Sequence, residues 1–149
     1  MFFSQAEALK LIVKRSTFSP VKGTRKCPKR DLNVPNSITG GTVFQSVISV
    51  TEDFTVGNVD IFNLIGEHSE LSDLTFKLKS PAGTQIILWN PLCAGTADFE
   101  VNLDDDSLSA SITTAPCGSL GQGGLFTPEE ALKTFYGENA QGDWTLAIA

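Results

Sequence analysis

From residue 42 onward the chain alternates apolar and polar positions in short runs broken by turn residues. In SDLTFKLKS (72–80), Leu74, Phe76 and Leu78 fall on one side and Asp73, Thr75, Lys77 and Lys79 on the other. That period of two is the signature of a strand with one face in a core. The last seven residues repeat it, with Trp144, Leu146 and Ile148 alternating with Asp143, Thr145 and Ala147. TVFQSVISV (42–50), FTVGNVDIFNLIG (54–66), QIILW (85–89) and FEVNL (99–103) read as further strands, the second with Gly57 and Asn58 interrupting it like a bulge. SPAGT (80–84) puts proline and glycine where a tight turn wants them, which makes the strands around it a hairpin. A loop carrying Gly137, Glu138, Asn139, Gln141 and Gly142 delivers the final strand. The only helical signal in this part is TPEEALKTF (127–135), with Thr127 as cap, Pro128 in the first turn and Glu130 three residues after the cap; it predicts one or two turns. Many short strands with one short helical insertion predict an all-β sandwich or jelly roll.

Length and composition fit one domain: 149 residues, 41% hydrophobic and 19% charged. There is no apolar run of the about 18 residues that a transmembrane helix needs, which excludes that class of membrane partner. The first residues, MFFSQAEALKLIVKRS, do not read as a signal peptide, because Glu7 and Lys10 interrupt any hydrophobic region; an export signal is expected upstream. Charge is uneven. Residues 1–30 hold eight of the eleven basic residues and one acid, so they carry about +7 and the remainder about −13. The basic stretch KRSTFSPVKGTRKCPKR has one aromatic, two prolines and no recognition-helix periodicity, which argues against nucleic acid. Residues 1–33 are read as a solvated basic arm or linker, and 34–149 as the domain.

The candidate chemistry is sparse. Of the three cysteines, Cys93 and Cys117 bracket an acidic, glycine- and serine-rich stretch that a staple would hold, which predicts a disulfide and an oxidising compartment and leaves Cys27 odd. The single histidine, His68, has Ser69, Ser72 and Asp73 beside it. Side chains crowded in one loop rarely converge as a triad, so a structural role is the expectation. Asp104, Asp105 and Asp106 at a strand end, with Asp73 at another strand start, are hard oxygen donors of the kind calcium takes, although not in EF-hand spacing. Trp89, at a strand end beside Asn90 and Pro91, is the one exposed aromatic a carbohydrate or adhesion surface would use; Trp144 is placed in the core by its alternation.

Together these stretches resemble the P domain (P/Homo B domain) that follows the catalytic domain of subtilisin-like proprotein convertases and of bacterial secreted proteases. The resemblance rests on VPNSI (34–38), GEHSELSDLTFKLKSPAGTQIILW (66–89), DFEVNLDDDS (98–107) and FTPEEALKTFYGENAQGDWTL (126–146), in the family's order. It implies a galactose-binding-like jelly roll without catalytic residues of its own. Its partner would be the catalytic domain of a secreted, serine-type endopeptidase, which the domain stabilises and regulates in its calcium and pH dependence. The cysteine pair Cys93 and Cys117 is similar to one found in a bacterial subset of these domains. Asp73 and Asp104 to Asp106 match acidic positions of the pattern. An adhesion or carbohydrate-binding jelly roll is the competing function.

Family members continue past WTL into a further strand, so the jelly roll is expected here to lack its last strand and to leave 143–149 with an open edge. Two fillers are expected: ALKLIVK (8–14) folding back as a substitute strand, or a strand supplied by a second copy in a strand-swapped dimer.

Overall fold

The computed structural model describes residues 9–15, 30–32 and 43–149. Its strands are β1 (Leu9–Arg15), β2 (Arg30–Leu32), β3 (Phe44–Val50), β4 (Val56–Gly66), β5 (Phe76–Lys79), β6 (Gln85–Trp89), β7 (Phe99–Leu103), β8 (Gly121–Phe126) and β9 (Gly142–Ile148). They form two sheets, one ordered β2-β1-β4-β7-β8 and the other β3-β9-β5-β6. All pairings are antiparallel except that of β7 with β8. The two sheets enclose one core, so the all-β sandwich is borne out.

Alternation produces this core directly. In β3 the apolar side chains of Phe44, Ile48 and Val50 are buried while Gln45, Val47 and Ser49 are exposed. In β9, Trp144, Leu146 and Ile148 point inward, and β5 does the same with Phe76 and Leu78. Phe76, Trp89 and Phe99 form an aromatic cluster between the sheets, with ring centroids 3.9, 5.2 and 5.7 Å apart. A second contact sets Phe135 edge-on to Trp144, whose indole N–H donates to the Ala140 carbonyl at 3.0 Å.

The SPAGT hairpin and the bulge at Gly57 form as expected. Gly83 sits at φ +94°, where only glycine is unstrained, and its N–H donates to the Ser80 carbonyl at 3.0 Å. In the β1–β4 ladder Lys14 faces Asn58 and Arg15 faces Val56, which leaves Gly57 as the extra residue. A second irregularity follows between Ile61 and Leu64. There Asn63 takes φ +57° and gives its backbone N–H to Asn102 Oδ1 at 2.9 Å.

Three expectations need correction, and one strand carries no signal in the sequence. β9 has no open edge: β3 flanks it on one side and β5 on the other, and even Ala149 exchanges backbone hydrogen bonds with Thr75. Residues 9–15 are no solvated arm. They form β1, with Leu11 and Val13 buried against the core, and β1 pairs with β4 in the opposite sheet rather than with β9. The helix over 127–135 shrinks to a 3-10 turn at Leu132–Phe135, because Glu129 and Glu130 instead donate their N–H groups to the carbonyls of Leu88 and Ile87 on β6. β8, GQGGLF, was not anticipated, since it has no apolar alternation. The VPNSI stretch, Cys27 and most of the basic segment lie outside the described residues.

Candidate functional site

The residues singled out from sequence fall in two regions. In the first, Cys93 and Cys117 are disulfide-bonded, with Cα atoms 5.4 Å apart. Glu70 grips the loop beside the bond: its carboxylate accepts the Gly95 N–H at 2.8 and 3.1 Å and the Ser72 hydroxyl at 2.8 Å. Those bonds, the Ser72 hydroxyl foremost, hold the Glu70 carboxyl below its ordinary pKa. The backbone adds Leu71 N–H to the Thr96 carbonyl at 2.8 Å.

His68 belongs to the same loop and does structural work there. Its Nδ1 lies 2.8 Å from the Glu70 carbonyl oxygen and 3.2 Å from the Glu70 amide. Its backbone N–H donates to Asp98 Oδ1 at 3.1 Å, and the Asp98 N–H returns a bond to the His68 carbonyl at 3.0 Å. Ser72 gives its hydroxyl to Glu70 rather than to His68. The loop is therefore built as a hydrogen-bonded brace between 66–73 and the disulfide-closed segment, not as a nucleophile with its base.

The second region is the acidic run. Both carboxylate oxygens of Asp105 accept backbone N–H groups, from Leu132 at 3.0 Å and Lys133 at 2.7 Å, at the start of the 3-10 turn. Asp104 Oδ1 accepts the Asp106 N–H at 2.8 Å. Asp73 stands exposed on a separate 3-10 turn, Leu71–Asp73. Among the described residues no three His, Cys, Asp or Glu side chains gather as a metal would require. Calcium takes six to eight oxygens around one point; of the four expected donors, Asp105 has both oxygens engaged with backbone N–H groups and Asp73 stands on a separate turn.

Near this run stands Tyr136, whose hydroxyl donates to Asn58 Oδ1 at 2.8 Å. Partial burial raises its pKa, and the negative charges of Asp106, Asp105, Asp60 and Asp104 add to the rise. Asn58 in turn donates its side-chain amide to Asp60 Oδ1 at 2.9 Å, and Asp60 Oδ2 lies 2.6 Å from Lys14 Nζ. Asp60 is 1% exposed, a buried carboxylate held by a lysine from β1.

Trp89 is the clearest departure from expectation. It is 1% exposed and packed between Phe76 and Phe99, so it offers no aromatic platform at the surface. The strand end reads as exposed in sequence; in the fold Trp89 is itself part of the aromatic cluster between the two sheets.

In sequence Glu70 and Asp60 carry no assigned role, Glu138 reads only as a loop residue and Glu130 only as part of a helix cap. Glu138 stood inside a motif already recognised, but its carboxylate meets Ser80 and Thr84 more than fifty residues away, as the separations of 58 and 54 record. Asp60 carried one weak signal, an acid within an otherwise apolar strand.

Comparison with known proteins decides the family. A model described as the proprotein convertase P-domain matches residues 61–149, more than half the chain. The chain belongs to the P-domain family. Among its curated relatives, a microbial serine proteinase of Aeromonas salmonicida is 27% identical over 127 residues, covering 85% of this chain and 18% of that protein. An extracellular serine protease of Aeromonas sobria is 25% identical over 151 residues, covering 98% of this chain and 22% of its own length. The chain therefore spans about a fifth of the relatives it matches. Crystal structures of the Aeromonas sobria serine protease, alone and with its chaperone, align at 22% identity and TM-score 0.46, over 95% of this chain and 19% of theirs.

Proposed function

We propose that this P domain is a non-catalytic accessory module of a secreted serine-type endopeptidase, where it packs against the catalytic domain, stabilises it and regulates proteolysis. The observation that carries the reading is the match over residues 61–149, the P domain alone, in a chain whose relatives are serine proteases about five times its length. Export is supported by the extracellular protease among those relatives and by the Cys93–Cys117 disulfide, a bond that persists in oxidising compartments. The braced loops fit a scaffold: Glu70, His68 and Asp98 are spent on holding backbone, leaving rigid sheets as the presenting surface.

The test is to measure thermal inactivation of a relative's protease with its own P domain, with this domain grafted in its place, and with none. A longer half-life for the grafted enzyme than for the truncated one is expected. Equal half-lives for those two would remove the stabilising role.

A further inference from the structure

We propose that the edge of β4 is a strand-acceptor site and that the segment occupying it, residues 9–15, exchanges between two copies of the chain, with Asp60 setting the register. This goes beyond the accessory role and does not depend on it.

Among the described residues β1's ladder to the sandwich runs along β4, from Lys10 opposite Phe62 to Arg15 opposite Val56, with Leu11 and Val13 packed into the core, and β2 pairs along β1's far side. The β1–β2 pair is thus attached to its sheet along one strand edge. That edge offers a specific chemistry. Leu11 and Val13 face Ile61 and Val59 across the ladder, and all four are buried. Asp60 lies between those two on the strand, buried, with Lys14 Nζ 2.6 Å from its carboxylate. A buried carboxylate without a cation is strongly disfavoured. A shift by one residue turns Leu11 and Val13 away from the core, and a shift by two brings Ile12 or Ser16 in place of Lys14. The acceptor therefore reads apolar, any, apolar, lysine in an extended strand, a backbone-paired mode of recognition with one charged selector.

A second copy of the chain is the occupant that meets every one of these demands, because it brings the same segment. Exchange forms the same contacts as the closed monomer, so concentration rather than new chemistry decides between them. Ten residues, 33–42, separate β2 from Val43, a reach of up to about 33 Å for an extended chain. The family match begins at Ile61, inside β4, so β1, β2 and the first part of β4, Asp60 included, lie outside the matched residues.

The experiment mixes two full-length charge variants, Lys14→Asp and Asp60→Lys, and reads mass by native mass spectrometry and light scattering. Each variant alone sets like charges together, both in its own fold and in a dimer with itself. Only β1 of one on β4 of the other restores the opposite pair, in both directions. The expected result is a 1:1 heterodimer in about tenfold or greater excess over either homodimer, since like-charge juxtaposition is costly, together with a higher melting temperature than either variant shows. If a variant folds poorly alone, its recovery on mixing as a 1:1 dimer is the same result. A mixture that stays two monomers, or that shows no recovery, overturns the proposal. The double variant Lys14→Asp/Asp60→Lys, which restores the pair within one chain, is expected to lose the heterodimer preference.

Discussion

The Ser80 hydroxyl donates to the Glu138 carboxylate at 2.6 Å, tying the SPAGT turn to the loop that delivers the final strand. The other Glu138 oxygen accepts the Thr84 hydroxyl, so one side chain closes the hairpin of β5 and β6 onto β9. Ser80 is 2% exposed, which removes water as a replacement partner. Glu138→Ala is expected to destabilise the fold by about 2–4 kcal/mol, the range for losing bonds to a charged acceptor and stranding a buried donor. Glu138→Gln, which keeps one acceptor, should lose less. Denaturant unfolding curves check both.

Glu129 and Glu130 close the outer edge of β6. Besides their backbone bonds to Leu88 and Ile87, Glu130 accepts the Ile87 N–H at 2.6 Å and Glu129 accepts the Asn90 N–H and side-chain amide at 2.9 and 2.8 Å. Charged residues along an edge also deter pairing with another sheet. The double variant Glu129→Ala/Glu130→Ala is expected to form, in a concentration-dependent way, assemblies larger than any the parent forms at the same protein concentration. Light scattering across a dilution series measures it.

Asp105 caps the turn that follows Ala131 through the backbone N–H groups of Leu132 and Lys133. Asp105→Ala should cost about 1 kcal/mol, the usual loss for removing a cap. The loss should be equal with and without chelator. A calcium ligand would behave differently, because its contribution appears only when the ion is present. Thermal melts in calcium and in chelator separate the two.

Tyr136 is the chain's single tyrosine, so the near-ultraviolet phenolate absorbance reports it alone. Its midpoint is expected above the ordinary value of 10.0, raised by burial first and by the neighbouring aspartates second. In the unfolded chain the phenol ionises at its ordinary pKa, while the folded protein still holds the proton. The stability contributed by the neutral phenol is thus intact below about pH 10 and falls as pH rises through the higher folded pKa. Tyr136→Phe should remove this alkaline loss from the pH-dependence of stability.

Much of the sandwich was legible in the chain because alternation is local. Leu74, Phe76 and Leu78, or Trp144, Leu146 and Ile148, declare their inward face within a few residues, and Gly57 and the SPAGT turn announce the bend and the hairpin. The P-domain resemblance was likewise carried by contiguous motifs, and the matched region confirms it. What the sequence by itself determined was therefore the class of fold, the inward-facing residues of most strands, the Cys93–Cys117 staple and the family. Which strand neighbours which was decided only in three dimensions. β9 has its partners at residues 44–50 and 76–79, β1 reaches across to β4 and Asp60, and Glu129 and Glu130 are held by a strand about forty residues earlier. Trp89 shows the same limit, since its burial depends on Phe76 and Phe99, neither of them adjacent to it in the chain. Pairing partners and buried charges are set by contacts between distant segments, and no local period records them.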